Sequence, residues 1–207
     1  MKNLLPLTLP LLLTACQPAA LPAEKARGVQ KLTIVGVNDL HGNLQPSSFR
    51  GKQVPDPKDP SKTVSALAGG IEAIGGQLAA IRAENPNTAF VGVGDLTGAS
   101  PLISALLRDE PTIVAMNKLG MSVSALGNHE FDYGVSELMR LQKGGCASND
   151  PEKACKFGPF AGAEYPYIAA NVFDKDGKHV FPLTRWSRSA RSTWPLWEPF
   201  LKTRPLS

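Results

Sequence analysis

The sequence predicts an α/β domain in which a layered sheet is flanked by helices. Two observations support this fold class. Short apolar segments rich in β-branched residues alternate with segments whose apolar residues recur at helical spacing. In addition, three of the apolar segments end directly in clusters of polar side chains. Because open α/β sheets bind ligands at the carboxyl ends of their strands, these clusters are the expected functional site.

The first elements are a strand, an insertion and a helix. Residues 32–37 form an apolar run typical of a buried strand, and this run ends at Asn38. Residues 45–62 are rich in Pro, Lys, Asp and Ser without an apolar period, so we interpret them as a surface insertion. Residues 66–84 carry apolar positions at helical spacing, although four glycines lower the helix propensity. We expect this helix to pack closely on the sheet.

The later elements repeat the alternation of strand and helix. Residues 89–93 are the second predicted strand and lead into a polar cluster, and residues 112–119 are the next predicted helix. Residues 121–126 are the third predicted strand, followed by a polar cluster and by a helix at 135–141. Residues 167–172 are typical of a fourth strand. No internal repeat is apparent.

Composition limits the classes of function. The 207 residues are 43% hydrophobic, which suits one domain of moderate size with a real core. The net charge of +4 is small, and the basic residues do not gather into a stripe with interleaved aromatic residues. A nucleic acid polymer is therefore not the expected partner.

The N-terminus predicts export. Lys2 precedes an apolar run at residues 4–13 that leads to Cys16, a pattern similar to a bacterial lipoprotein signal. We expect residues 1–16 to be the signal peptide with Cys16 as the lipidated residue, and 17–30 to be a flexible tether. The expected location is the cell envelope, on the periplasmic or outer face, with a lipid anchor in the membrane. An apolar terminus with an incidental cysteine is the alternative.

The other two cysteines predict a disulfide. Cys146 and Cys155 lie in a polar segment without a zinc-ligand spacing. In an oxidising compartment a disulfide that closes this loop is expected, and two free thiols are the alternative.

The polar clusters contain the residue types of a metal site. Asp39 and His41 are two residues apart, so in an extended segment both side chains point the same way. A turn-forming role for Asp39 and a surface position for His41 are the alternatives. Asp95 follows an apolar strand, where a carboxylate needs solvent, a hydrogen bond or a cation, and we expect it to bridge two metals.

The third cluster adds an amide and an imidazole. The amide oxygen of Asn128 can bind a hard metal ion, and the neighbouring His129 remains free for a substrate. Asp132 is close enough in sequence to orient that imidazole. We interpret Glu130 as structural.

These motifs resemble those of the calcineurin-like metallophosphoesterase superfamily. In chain order they are Asp39-x-His41, Gly94-Asp95 and Gly127-Asn128-His129-Glu130-x-Asp132. The longer strings at residues 37–44 and 125–134 are similar to the branch of bacterial 5'-nucleotidases and 2',3'-cyclic-nucleotide phosphodiesterases. The resemblance extends from residue 32 to 172.

The resemblance implies roles for the site residues. Asp39 and His41 would hold one metal, Asp95 would bridge to a second, and Asn128 would bind the second metal and the substrate. His129, paired with Asp132, would bind the substrate, stabilise the transferring phosphoryl group or protonate the leaving oxygen. Two divalent ions, drawn from Mn, Zn, Fe and Co, and a small nucleotide substrate are implied.

The chain departs from the family pattern after this region. A downstream Gly-His-x-His element and a C-terminal nucleoside-binding domain are not found, and His179 lies in a turn where we expect no ligand role. Residues 31–184 are thus expected to be the N-terminal part of the catalytic domain. Residues 185–207 show no helix or strand period, and we interpret them as an aberrant tail that arose by a frameshift.

The expected function is therefore a nucleotide phosphoester hydrolase of the 5'-nucleotidase type, with weak or no activity because the ligand set is incomplete. One alternative is a non-catalytic lipoprotein fragment that binds one metal or a phosphate. Another is a related hydrolase that acts on thiosulfonates or cyclic phosphodiesters.

Overall fold

A computed structural model of the chain describes residues 31–188 and 193–197. The predicted signal peptide, Cys16 and the tether lie outside the described residues, as does most of the predicted tail. In this part of the chain the strands are Thr33–Val37 (β1), Ser47–Asp56 (β2), Asp59–Ala68 (β3), Thr88–Val93 (β4), Met121–Ala125 (β5), Tyr167–Ile168 (β6), Thr184–Arg188 (β7) and Thr193–Trp197 (β8). The helices of the described residues are Ile71–Glu84 (α1), Leu102–Ala105 (α2), Glu110–Lys118 (α3) and Val135–Lys143 (α4), with a 3-10 turn at His129–Phe131.

A four-stranded parallel sheet in the order β1-β4-β5-β6 forms the centre of the fold. Its strands are separated in sequence by helices, as a parallel arrangement requires. The predicted α/β class with flanking helices is confirmed. Because the strands are parallel, β1, β4 and β5 end at the same edge of the sheet.

The core lies between this sheet and its helices. Phe90 of β4, Leu78 of α1, Met116 of α3 and Leu138 of α4 are almost fully buried in one apolar cluster. Apolar residues at helical spacing give α1, α3 and α4 a face that packs in this core, which explains why these helices form here. Among the described residues, no helix is long and apolar enough to cross a membrane.

The predicted surface insertion is a β-hairpin. β2 and β3 pair in an antiparallel manner, and the Lys58 amide donates to the Asp56 carboxylate at 2.8 Å in the connecting turn. The two strands pair through their backbones, and Val54, Val64 and Leu67 on the hairpin are exposed. The sequence has no apolar period in this segment, so its pattern did not predict the two strands.

Two predicted boundaries were wrong. The helix predicted from residue 66 begins at Ile71, because residues up to Ala68 pair in β3 and Gly70 has a φ of 82°. The strand predicted at 167–172 ends at Ile168, because the chain then turns to other partners. The Ala169 amide donates to the Pro182 carbonyl at 3.0 Å.

The start of the predicted tail also has regular structure. β7 and β8 form a two-stranded antiparallel sheet, which the sequence period did not indicate. His179 lies before it, exposed, with its ring centroid 4.5 Å from that of Phe173.

Candidate metal centre

Three polar loops meet at the carboxyl edge of the sheet. Asp39 and His41 follow β1, and Asp95 follows β4. One ligand atom from each of these three residues lies within 4.8 Å of the other two. The structure thus brings together side chains that are up to 56 residues apart in the sequence, which is the separation between Asp39 and Asp95.

Backbone hydrogen bonds fasten the first loop to the second. The Asp39 amide donates to the Gly94 carbonyl at 3.2 Å, and the His41 amide donates to the Asp95 carbonyl at 3.0 Å. The Gly42 amide donates to the Leu96 carbonyl at 3.0 Å. These contacts continue the pairing of β1 with β4 beyond the strand ends, so the two loops are held in register.

The backbone at these three residues is left-handed. Asp39, His41 and Asp95 have φ values of 51°, 45° and 54°, which side chains with a Cβ adopt at a cost of about 1 kcal/mol or more each. The surrounding hydrogen bonds hold the strained conformation. Such strain concentrates at functional sites, so it is an independent sign that this edge of the sheet is one.

The His41 ring is oriented by a backbone carbonyl. Its Nδ1 lies 2.9 Å from the Gly98 oxygen, and since a carbonyl can only accept, Nδ1 carries the proton. Nε2 is therefore the atom with a free lone pair, and it lies 3.9 Å from a carboxylate oxygen of Asp39. This arrangement is common for histidines that bind metals.

The third loop adds a histidine–aspartate pair. Nδ1 of His129 lies 2.9 Å from Oδ2 of Asp132, and the same oxygen accepts the Ala99 amide at 3.1 Å. The hydrogen bond with Asp132 raises the pKa of His129 above its ordinary value. The rings of His41 and His129 touch edge to face, with centroids 4.8 Å apart. The third loop is therefore in direct contact with the first.

Asn128 belongs to the third loop. Its side chain is exposed, and it stands at the start of the 3-10 turn, next to His129. The His129 amide donates to Oδ1 of Asp95 at 2.9 Å, so Asn128 is one residue from a direct contact with the second loop.

Glu130 ties the second and third loops together. It is 4% exposed, and its carboxylate accepts four backbone N–H groups. These belong to Asp95 (2.9 Å), Leu96 (2.7 Å), Thr97 (3.3 Å) and Gly127 (2.6 Å). Burial raises the pKa of Glu130, and the four donors oppose that shift. The sequence indicated a structural residue here, but not that it clamps two loops of the site.

Glycines permit the close approach of the loops. A Cβ on Gly127 would lie 2.2 Å from Oδ1 of Asp95, and a Cβ on Gly98 would lie 2.3 Å from the His129 carbonyl oxygen. Gly98 was not singled out by the sequence. Its position after a conspicuous Gly-Asp pair is the signal that could have directed attention to it.

The donor set fits a divalent cation. Two carboxylates and one imidazole nitrogen form the group of three, and a neighbouring amide is exposed. Mixed oxygen and nitrogen ligands suit Mn, Zn, Fe or Co better than Ca, which prefers oxygen alone.

The structure contains a disulfide between Cys146 and Cys155, in the loop after α4. The Cys155 amide donates to Glu110, whose carboxylate also accepts Arg140. The disulfide thus belongs to a structural region around α3 and α4 rather than to the polar loops.

The chain is similar to several known proteins, although no protein-family model matches it. An uncharacterised protein of Acinetobacter calcoaceticus is 42% identical over 164 residues, which are 78% of this chain and 79% of that protein. A 2',3'-cyclic-nucleotide 2'-phosphodiesterase/3'-nucleotidase of Yersinia enterocolitica is 30% identical over 85% of this chain and 24% of its own. A 5'-nucleotidase of Mus musculus is 32% identical over 58% of this chain and 20% of its own.

A solved structure agrees with the fold. The 5'-nucleotidase precursor of Thermus thermophilus superposes with a TM-score of 0.55 at 22% identity, covering 80% of this chain and 28% of that one. The chain therefore spans about a quarter or less of the length of the named nucleotidases of Yersinia and mouse, and most of the length of the Acinetobacter relative.

Proposed function

The chain belongs to the calcineurin-like metallophosphoesterase superfamily, in the branch of 5'-nucleotidases and 2',3'-cyclic-nucleotide phosphodiesterases, and from this premise we propose that it is a metal-dependent hydrolase of nucleotide phosphoesters. A 5'-nucleotidase activity is the form we favour. One observation carries the proposal. The Asp39–His41–Asp95 group and the His129–Asp132 pair lie at one sheet edge, with the two imidazole rings in contact.

The polar loops at this sheet edge would hold two cations. Asp39 and His41 would hold one divalent cation, Asp95 would be shared, and Asn128 would serve a second cation. A cation at this site would polarise the phosphoryl group and make a water molecule more acidic. The left-handed backbone of the ligand residues supports the assignment, because it aims their side chains without a further conformational change.

His129 would act on the substrate through Nε2. Its Nδ1 is engaged by Asp132, so Nε2 is the ring atom available to a phosphate oxygen or a leaving group. A raised pKa increases the fraction of imidazolium near neutral pH. The imidazolium can donate a hydrogen bond to the phosphoryl oxygen or a proton to the departing alkoxide, while Asp132 keeps the ring in place.

The second cation would be held weakly. Among the described residues, only the shared Asp95 and Asn128 are assigned to it, and the carboxylate–imidazole group is a single cluster. We therefore expect slow turnover. The same observation favours a second candidate function, a non-catalytic protein that binds one cation.

The test is an assay of phosphate release from AMP, 2',3'-cyclic AMP and an aryl phosphate in the presence of Mn²⁺. We expect slow release that EDTA abolishes. His129→Gln should lower the rate at least about 100-fold, while Mn²⁺ affinity stays within about threefold. His179→Gln is the matched control, because this exposed histidine lies outside the site, and it should behave as the parent.

One outcome would count against the role of His129, and another against the hydrolase itself. Release that is equal in His129→Gln and the parent would refute the role of the histidine. Tight Mn²⁺ binding without hydrolysis of any of the three esters would support the non-catalytic candidate instead.

We also propose that the protein is exported and anchored by lipid at Cys16. The Cys146–Cys155 disulfide supports export, because disulfides persist in oxidising compartments. Expression in a bacterial host should place the parent in the membrane fraction and Cys16→Ser in the soluble fraction. Equal membrane association of the two proteins would contradict the anchor.

A further inference from the structure

A buried carboxylate that belongs to none of the three family motifs lies close to the candidate metal centre. Asp109 stands directly before α3 and is fully buried. Its Oδ2 accepts the Gly98 amide at 3.1 Å, and its Oδ1 accepts the Ser104 hydroxyl at 2.7 Å. Ser104 is itself buried and shares a hydrogen bond of 2.7 Å with the Thr112 hydroxyl. The carboxylate is therefore fixed from two sides.

Gly98 connects Asp109 to His41 and lies close to the loop that carries His129. Its N–H bonds Asp109, and its carbonyl accepts Nδ1 of His41 at 2.9 Å. Gly98 also lies close to the third loop, since a Cβ added to Gly98 would lie 2.3 Å from the His129 carbonyl oxygen and 2.7 Å from Oδ2 of Asp132. A rotation of the backbone at Gly98 would consequently disturb the orientation of His41.

The backbone at Asp109 indicates that its side chain has a purpose beyond the turn. Asp109 has a φ of 61°, in the left-handed region that favours glycine. Glycine would hold this turn with less strain, but only a side chain with an acceptor can reach the Gly98 amide. The N-terminus of α3 also favours a negative charge at this place.

We propose that Asp109 is a positioning residue for the metal centre. By fixing the Gly98 backbone, it sets the tautomer and the direction of the His41 imidazole, so that Nε2 is presented to the cation. The inference rests on the proposed function for the identity of the bound ion, but the tautomer is a property of the metal-free protein.

The experiment compares the parent with Asp109→Gly and Asp109→Asn. Glycine removes the acceptor and tolerates the left-handed backbone, whereas asparagine keeps one acceptor oxygen and tolerates it almost as well. Asp150→Asn is the matched control for the loss of one carboxylate, because Asp150 pairs with Lys153 away from the site. Far-UV circular dichroism checks that each variant is folded.

The first readout is the imidazole nitrogen spectrum of the metal-free protein, recorded at a pH where histidine is neutral. The chain has only three histidines, and His129→Gln and His179→Gln assign the remaining signal to His41. We expect the proton on Nδ1 in the parent and in Asp150→Asn. Asp109→Gly should give a mixture of tautomers, and Asp109→Asn should shift the His41 Nδ1 resonance in the same direction by less.

The second readout is Mn²⁺ affinity, measured by calorimetry. Loss of an outer hydrogen bond that orients a ligand typically weakens binding about 10- to 100-fold, and we expect this for Asp109→Gly. Asp109→Asn should lie between Asp109→Gly and the parent, as a conservative replacement that keeps an acceptor should.

Three results would overturn the inference. The first is that the parent carries the His41 proton on Nε2. The second is that Asp109→Gly folds and gives the same His41 spectrum as the parent. The third, which applies if Asp109→Gly does not fold, is that the His41 resonance is unchanged in Asp109→Asn. A parent that binds no Mn²⁺ and cleaves no ester would defeat the proposed function alone. The tautomer of His41 would still decide the role of Asp109.

Discussion

Replacement of Glu130 by glutamine should loosen the centre of the site. The carboxylate accepts four N–H groups, from Asp95, Leu96, Thr97 and Gly127, whereas a glutamine oxygen can accept only two of them and its NH₂ group faces the other two. Two lost bonds to a charged group amount to about 3–6 kcal/mol. Burial raises the pKa of Glu130, so the buried charge itself costs part of that gain, and we take the lower end, about 3 kcal/mol.

This loss is large compared with the roughly 5–15 kcal/mol of stability that is typical of a domain. Urea denaturation at neutral pH, followed by far-UV circular dichroism with the disulfide intact, measures it. Glu152→Gln is the control, since the Glu152 side chain is 90% exposed and should change stability by less than about 0.5 kcal/mol. If Glu130→Gln were as stable as this control, the four hydrogen bonds could not be what holds the loops.

Three further predictions concern charge and cross-linking. Asp132→Asn should lower the pKa of His129 in the metal-free protein, because the hydrogen bond with Asp132 raises it; an unchanged NMR titration midpoint would contradict this. Reduction of the disulfide, whose cysteines are 9 residues apart, should lower the free energy of unfolding by about 2.5 kcal/mol. Denaturation curves recorded with and without reductant measure this difference, and identical curves would argue against the bond. Burial opposes ionisation of Glu137, but hydrogen bonds from Arg140 and Ser148 outweigh it and lower its pKa. The ionised Glu137 carboxylate therefore stabilises the folded protein at pH values above its pKa in the unfolded chain. This stabilisation is lost as the pH falls through the pKa of Glu137 in the folded protein. Glu137→Gln should therefore destabilise the protein by about 3 kcal/mol at neutral pH and by clearly less near pH 3; equal losses at both pH values would be inconsistent with the shift.

The parts of the fold that depend on burial were predictable from the sequence. β1, β4 and β5 are apolar runs, and each was predicted within one or two residues of its observed bounds. The hairpin of β2 and β3 was not predictable in this way, because several apolar residues of its strands, Val54, Val64 and Leu67, are exposed. Its formation depends on backbone pairing and on a local turn, which leave no apolar period.

The site shows a similar division. The residues proposed to carry the chemistry stand in short motifs, and the structure brings Asp39, His41 and Asp95 together from two strand ends at one sheet edge. The residues that orient them act through the backbone. Gly98 presents a carbonyl and Asp109 accepts an amide, and neither role requires a residue type that stands out in a sequence.

The left-handed backbone at the proposed ligand residues has a thermodynamic consequence. Asp39, His41 and Asp95 hold their strained conformations through contacts that the folded chain already makes, so little further ordering remains for ion capture. Calorimetric heats should then reflect mainly the exchange of water for protein donors around the ion, with a heat-capacity change close to zero. Occupancy would raise the melting temperature according to the ion's concentration and affinity while leaving secondary structure as it was.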